Sequence, residues 1–188
     1  VGYQNLIYLV SMGYTEGFFS KPRIDMELLR SHSEGLIALS ACLAGKIPTL
    51  LLGGRYDDAL EYALEMKGIF GRENFYIEVQ NHGINEQKQI LPQLVKIARE
   101  ADLELVATND AHYLRRPDAK VQEVLMCIQT GTVVGEKKYE SFATGELYFK
   151  DSNEMRMLFP ESEYPRALEN TVKIAEMCNF DFDFESQF

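Results

Sequence analysis

The sequence of 188 residues lacks any apolar run close to the roughly 20 residues needed to cross a bilayer. Its start, VGYQNLIYLV, also lacks the basic flank and the small-residue cleavage site of a secretory signal peptide. Hydrophobic residues make up 46% and charged residues 26%, as in a soluble globular protein. We therefore expect one ordinary domain, or a large piece of one, without membrane attachment.

Cysteine is scarce, with three residues at wide spacings: Cys42, Cys127 and Cys178. An odd number at such distances argues against a disulfide framework and favours a reducing, cytoplasmic setting. Cys127 and Cys178 fall on apolar faces of helical pattern, so we expect both to be buried in the core.

Positive charge is also in short supply, with 19 Lys and Arg against 29 Asp and Glu, for a formal net charge of −10. Non-specific affinity for nucleic acid comes from basic side chains that neutralise phosphates. We therefore do not expect this chain to bind DNA or an anionic membrane unaided. If it serves a nucleic-acid enzyme, the basic surface lies elsewhere.

Short apolar segments alternate with stretches of helical periodicity between residues 36 and 131. Three segments, LIALS, FYIEV and LVAT, have the length and composition of buried strands. Alternation of this kind is typical of parallel strands joined by crossover helices, so the sequence predicts an α/β fold. The strands are 36–40, 75–79 and 105–108, and the helical stripes are Ala59, Leu60, Ala63 and Leu64; Ile90, Leu91, Leu94, Val95 and Ala98; and Val121, Val124, Leu125 and Ile128.

Proline, glycine and capping residues mark several predicted helix ends. Pro92 falls within the second stripe, so that helix either kinks there or begins nearby. Pro117 suits the first turn of the next helix, and Gly131 ends it. Asp151 and Glu154 have the spacing of a capping box at the start of a further short helix.

Polar residues that can bind a metal ion follow the predicted strands. Cys42 comes two residues after the first strand, and Asp110 and His112 follow the third. In parallel α/β folds, functional groups collect beyond the carboxyl ends of the strands. Thiolate, carboxylate and imidazole together suit Zn²⁺ or a similar transition metal. Cys42, Asp110 and His112 are therefore the candidate metal ligands, and no residue is identified as catalytic.

Each candidate also has a purely structural interpretation. A buried cysteine such as Cys42 most often packs in the core. Asp110 can cap the following turn, and His112 can bond to the backbone. Glu78 lies within the second strand and can point to either face. His82, in the loop after that strand, is expected to be exposed.

Asp181 and Asp183 alternate with phenylalanines near the end of the sequence. Enzymes that use two metal ions for phosphoryl transfer employ such carboxylate pairs. An amphipathic edge strand or an extended linker explains the same alternation without chemistry, and we favour that interpretation.

Several motifs resemble one known family. Together they are similar to the PHP (polymerase and histidinol phosphatase) domain of the alpha subunit of bacterial replicative DNA polymerase III. The likeness continues through VLMCIQTG, ELYFKDSNEM and ALENTVKIAEMC. The principal motifs are GYQNLIYLVSMG, EGFFSKPRID, EGLIALSACLAG, NFYIEVQNHG and LVATNDAHYL.

The resemblance implies part of a distorted, seven-stranded TIM-like barrel with zinc or manganese at its mouth. The last ligand positions of that family correspond to Cys42, Asp110 and His112. In some members the PHP site resembles a 3′–5′ exonuclease. In others the domain is structural and binds the proofreading exonuclease subunit and other replisome subunits.

The resemblance also implies a parent polypeptide that is a DNA-directed DNA polymerase of chromosomal replication. Its palm domain would hold magnesium and bind primer–template DNA and deoxynucleotides. The family's early His-x-His and Asp-His motifs are missing here, so we expect a fragment that is inactive alone. Residues 1–131 would be the C-terminal part of the PHP domain, and residues 132–188 its end and the helices leading toward the palm.

Two other hypotheses remain open. The chain can belong to a free-standing, metal-dependent PHP phosphoesterase. It can also be a purely structural or interaction module, which would bind no metal and would tolerate loss of Asp110 and His112.

Overall fold

The computed structural model describes residues 1–135 and 144–182, which form helices around a small parallel sheet. In chain order the elements are α1 (Gly2–Thr15), α2 (Met26–Ser31), β1 (Ala38–Leu39), α3 (Lys46–Leu52), α4 (Tyr56–Phe70), β2 (Phe75–Val79), α5 (Asn85–Glu100), β3 (Glu104–Ala107), a short 3₁₀-helix (Arg116–Asp118), α6 (Ala119–Thr130), α7 (Ser152–Leu158) and α8 (Glu169–Met177). No helix within these ranges combines the length and the apolar character needed to cross a membrane.

The sheet has the order β1-β2-β3, and both strand pairs are parallel. Ala38 lies opposite Phe75, and Tyr76 lies opposite Glu104. The predicted α/β class with parallel strands is therefore confirmed. The described ranges contain a three-stranded sheet, and the seven-stranded barrel that the resemblance implies stays a prediction.

Helices α4 and α5 pack on the sheet, α3 packs against both of these helices, and the main apolar core lies between these elements. α5 is one continuous helix that begins seven residues before Pro92, and Pro92 itself is exposed. Helix α5 connects β2 to β3, so it must lie against the sheet to keep the two strands parallel. The most deeply buried core residues include Ile47, Leu51, Ala59, Ala63, Phe75, Ile77, Val79 and Ile97.

The outer edge of β3 is covered by the segment that leads into α8. The backbone N–H of Ala107 donates to the carbonyl of Ala167 at 2.9 Å. The side-chain amide of Asn170, which is fully buried, donates to the carbonyl of Leu105 at 2.8 Å. These bonds satisfy backbone groups that an open edge strand would leave unpaired.

Several local predictions are confirmed. The Asp151 carboxylate accepts from the backbone N–H of Glu154, while the Glu154 side chain accepts from the backbone N–H of Asp151. Pro117 lies in the 3₁₀-helix that leads into α6, and Gly131 ends α6 in the left-handed conformation at φ 66°. The short helix α3 was not predicted, since its seven residues include Pro48 and are almost all apolar.

The cysteines divide between core and surface, and all three are free. Cys127 is buried in α6, as predicted. The prediction for Cys178 is wrong: it is exposed because it lies at the C-cap of α8, beyond the last helical turn. Asp183 lies outside the described residues.

Candidate functional site

The carboxyl ends of the three strands lie side by side, and side chains link them. Ser40, directly after β1, accepts the backbone N–H of Glu78 with its hydroxyl oxygen at 2.8 Å. The Glu78 carboxylate accepts from the hydroxyl of Thr108, and also from the side-chain amide of Gln80 at 3.1 Å. Glu78 therefore points into a hydrogen-bonded group that connects β2 to β3, which resolves the direction that the sequence left open.

His82 is the most deeply buried polar group at this edge, with 1% of its surface exposed. Its Nε2 lies 2.6 Å from the carbonyl oxygen of Asn109, which can only accept a hydrogen bond. Its Nδ1 lies 3.0 Å from the side-chain amide nitrogen of Gln87, which can only donate. We therefore assign a neutral ring that carries its proton on Nε2.

The environment of His82 favours this neutral form. Burial is the main cause that lowers the pKa of His82, and the nearby positive charge of Lys150 also lowers it. Gln87 fixes the loop as well as the ring, because its side-chain oxygen accepts the backbone N–H of His82 at 2.8 Å. With both ring nitrogens engaged, His82 supports the loop after β3 and is not available as a ligand.

The sequence prediction of an exposed His82 is therefore wrong. The imidazole is buried because Gln87, in the first turns of α5, and the backbone of Asn109 both offer it hydrogen bonds. Asn109 is 27 positions away in sequence, so no local pattern indicates the contact. The one local indication of a buried polar contact is Gln87, a polar residue on the apolar side of α5. It does not identify the residue that it contacts.

Asp110 and His112 come together at the end of β3. The Nε2 of His112 lies 3.4 Å from a carboxylate oxygen of Asp110, and both side chains are partly exposed. Asp110 has a φ of 44°, in the left-handed region that non-glycine residues rarely adopt. The backbone N–H of His112 donates to the carbonyl of Leu147 at 2.8 Å, which ties the turn to the later segment of the chain.

A second strip of chain, residues 144–150, covers this turn. The side-chain amide of Asn109 donates to the carbonyl of Tyr148 at 3.0 Å. The side chain of Lys150 is 2% exposed, donates to the carbonyl of Glu146, and lies 4.3 Å from the centre of the Tyr148 ring. Burial lowers the pKa of Lys150. Sequence reasoning missed this buried lysine.

Cys42 does not join the Asp110–His112 pair in one ligand group. It is exposed after β1 and lines a small cleft with Glu78 and Gln80. Within residues 1–135 and 144–182, no set of three or more His, Cys, Asp and Glu side chains is placed to hold a metal ion. The donor chemistry of the pair suits a metal, but the residues described here do not complete a site.

Comparison with known proteins gives two kinds of match. The PHP domain family model matches residues 1–82. The chain is 46% identical to the DNA polymerase III subunit alpha of Treponema pallidum over 95% of its length, and 48% identical to that of Thermus aquaticus over 96%. For the subunit of Borreliella burgdorferi the identity is 45% over the whole chain.

These matches confirm the family resemblance inferred from the motifs. They extend well beyond residue 82, through the Asp110–His112 turn and the later helices. The chain nevertheless spans only about 15% of the length of these curated relatives, at 15%, 15% and 16%.

Proposed function

We propose that this chain, which is homologous to the alpha subunits of DNA polymerase III, is a segment of such a subunit. The parent polypeptide would then be a DNA-directed DNA polymerase, a nucleotidyltransferase that replicates the chromosome in the bacterial cytoplasm. The observation that carries the proposal is 46% identity over 95% of the chain to a relative of that name. Identity at this level over nearly all of the chain is much higher than proteins that share only a fold would show.

The polymerase chemistry itself belongs to other parts of the parent. Primer–template DNA, deoxynucleotides and magnesium would bind to its palm domain. The formal charge of −10 supports this division, because an acidic surface repels the phosphates of DNA. The segment described here would supply structure beside the catalytic domains.

We propose that the loops after the strands supply some of the ligands of a metal site that holds zinc or manganese. Asp110 and His112 are the best supported ligands because they are adjacent and partly exposed. Cys42, which lines a separate cleft after β1, is the third ligand predicted from the sequence. Further ligands would come from residues outside the described ranges, since the described residues alone do not form the group. A bound metal would supply a Lewis acid at the end of the sheet.

Two roles fit such a site in the parent. With all its ligands present, the PHP region would act as a 3′–5′ exonuclease. Without metal, it would be a scaffold on which the separate proofreading exonuclease and other replisome subunits dock. In both cases residues 1–131 would form the C-terminal part of the PHP domain, which would be a seven-stranded barrel in the parent. Residues 132–188 would form the end of that domain and lead toward the palm.

A free-standing PHP phosphoesterase is the alternative. It would share the PHP match over residues 1–82. It is less well supported, because each of the three relatives is a polymerase subunit and continues to match beyond that region. A parent without primer-extension activity would favour this alternative.

The first experiment measures primer extension and metal content of the parent polypeptide, purified without chelator. We expect polymerase activity, and bound zinc or manganese that is lost in the Asp110→Ala/His112→Ala double variant. The matched control, Asp57→Ala/His32→Ala, removes the same two residue types away from the strand-end loops and should keep its metal. Metal-free parent protein that still extends primers would eliminate the metal site and leave the scaffold role.

A further inference from the structure

Hydrogen bonds join the turn that follows β3 to residues 146–150, which we call the cover segment. The side-chain amide of Asn109 and the backbone N–H of His112 both donate to carbonyls of the cover segment, at 3.0 Å and 2.8 Å. In the other direction, the backbone N–H of Phe149 donates to the carbonyl of Tyr113 at 3.0 Å. The position of the turn therefore depends on the position of the cover segment.

Lys150 links the two ends of the cover segment. Its side chain is buried, and its ammonium group donates to the carbonyl of Glu146, four positions earlier. The same group lies 4.3 Å from the centre of the Tyr148 ring, between these two ends in sequence. An ammonium group held near an aromatic ring and away from water is attracted by the ring quadrupole. One buried cation therefore contacts the start and the middle of the cover segment.

The Tyr148 ring also has partners outside the cover segment. Its hydroxyl donates to the carboxylate of Glu154 in α7 at 2.6 Å and accepts from the guanidinium of Arg116 at 3.2 Å. The Arg116 side chain is 62% exposed, whereas that of Lys150 is 2% exposed. Exposed charge contacts contribute little because water and salt screen them. Lys150 is therefore expected to hold the ring more strongly than Arg116 does.

We propose that Lys150 is a positioning residue, which sets the turn carrying Asp110 and His112 by way of the cover segment. The part of this role that concerns a metal ion rests on the proposed function, whereas the hold on the turn does not. Groups that orient metal ligands without touching the metal commonly change the affinity for it by roughly 10–100-fold when they are lost. Lys150 would act on the two candidate ligands in this way.

The test compares two variants of the full-length parent, Lys150→Met and Lys67→Met. Methionine keeps a long, unbranched side chain and removes the ammonium group. Lys67 is the matched control, because its ammonium group also donates to a backbone carbonyl, that of Ala101, at 2.8 Å. Ala101 precedes β3, so this contact lies at the amino end of the strand, away from the turn.

The first measurement is backbone hydrogen exchange of metal-stripped parent, resolved by peptide with mass spectrometry. In Lys150→Met we expect the amides of residues 110–114 to exchange at least about tenfold faster, because the His112 N–H is bonded to the cover segment. Strand β2 and helix α5 should keep the rates of the unmodified parent. In Lys67→Met the amides of residues 110–114 should exchange as in the unmodified parent.

The second measurement is the zinc affinity of the parent, from competition with a chelating dye. We expect Lys150→Met to bind zinc at least about tenfold more weakly, and Lys67→Met to bind it as tightly as the unmodified parent. A lysine that only stabilised the fold would leave the affinity of the folded protein for zinc unchanged.

Three outcomes would overturn the proposal. Unchanged exchange at residues 110–114 in Lys150→Met would mean that the lysine does not hold the turn. Faster exchange spread equally over the sheet would mean a general loss of stability. Faster exchange at the turn with unchanged zinc affinity would mean that the turn positions no ligand.

The failure of the proposed metal site is distinguishable from these outcomes. An unmodified parent that binds no zinc would contradict that site alone, and exchange at the turn would then decide the role of Lys150. If circular dichroism shows that Lys150→Met does not fold, Tyr148→Leu takes its place under the same criteria. This variant keeps the lysine and removes the ring that it contacts.

Discussion

Helices α5 and α6 have apolar residues at the same helical spacing, but the apolar face is buried in α5 and exposed in α6. In α5 the stripe faces the sheet and is almost completely buried. In α6 the stripe faces solvent, although its residues are equally apolar. The buried set in α5 is Ile90, Leu91, Leu94, Ile97 and Ala98, and the exposed set in α6 is Val121, Val124, Leu125 and Ile128.

The difference follows from the position of each helix in the chain. α5 connects β2 to β3, and a crossover between parallel strands must return across the face of the sheet. α6 follows β3, and of the later described helices α8 packs against β3. Periodicity therefore identifies the apolar face of a helix, while topology determines whether that face is covered.

The largest effect is expected from a cavity beneath α5. Ile97→Ala removes a fully buried side chain between the helix and the sheet. We expect the free energy of unfolding to fall by about 2–5 kcal/mol, measured by urea denaturation of the 188-residue chain. A loss below about 1 kcal/mol would show that α5 is not held as the structure describes.

The next effect tests the polar end of α5. Gln87→Leu deletes the donor to His82 Nδ1 and the acceptor of the His82 backbone N–H, and so leaves two buried groups unpaired. We expect a loss of about 1–3 kcal/mol in the free energy of unfolding. Gln93→Leu is the matched control, because Gln93 is less buried and its amide donates to a carbonyl of its own helix. Equal losses in both variants would contradict the role assigned to Gln87.

Acid should weaken the same region through His82. The folded pKa of His82 is lowered, mainly by burial, whereas the unfolded chain titrates near the ordinary value of about 6.5. Above that value both states are neutral and His82 adds no pH dependence. As the pH falls below it, the unfolded state binds a proton first, so stability declines until the lower folded pKa is passed.

The measurement is urea denaturation between pH 7.5 and 5 for the unmodified chain and for His82→Gln. Subtracting the two curves cancels the contributions of the other titrating groups. We expect the unmodified chain to lose more stability on acidification than the variant. Parallel curves would mean that His82 is not held neutral in the folded protein.

The smallest effect is expected on the exposed face of α6. Ile128→Ala in the 188-residue chain should change the free energy of unfolding by no more than about 0.5 kcal/mol, because the side chain is already in water. The same urea experiment used for Ile97→Ala provides the comparison. A loss above about 2 kcal/mol would show that α6 is covered within this chain, which would remove the contrast with α5.

Part of the candidate site was predictable and part was not. Asp110 and His112 were identified because they follow a buried strand, and the structure brings them within 3.4 Å. Cys42 follows another strand in the same way, yet it lies in a different cleft. A strand end specifies the edge of the sheet where a side chain emerges, but the path of the following loop decides its neighbours.

The sequence alone determined the features that depend on neighbours within a few residues. These are strand β2, helix α5, the Asp151–Glu154 capping box and the left-handed end of α6 at Gly131. Each results from the composition of a buried strand, helical spacing or a bond between residues three or four positions apart.

Only the tertiary structure decided the burial of His82 and the exposure of the apolar face of α6. The His82 ring bonds to a carbonyl 27 positions away in the sequence, at the end of another strand. The apolar face of α6 points away from the core because no crossover carries α6 across the sheet within the described residues. Burial depends on which segments, distant in sequence, pack against each other, and the local spacing of residues does not encode these tertiary contacts.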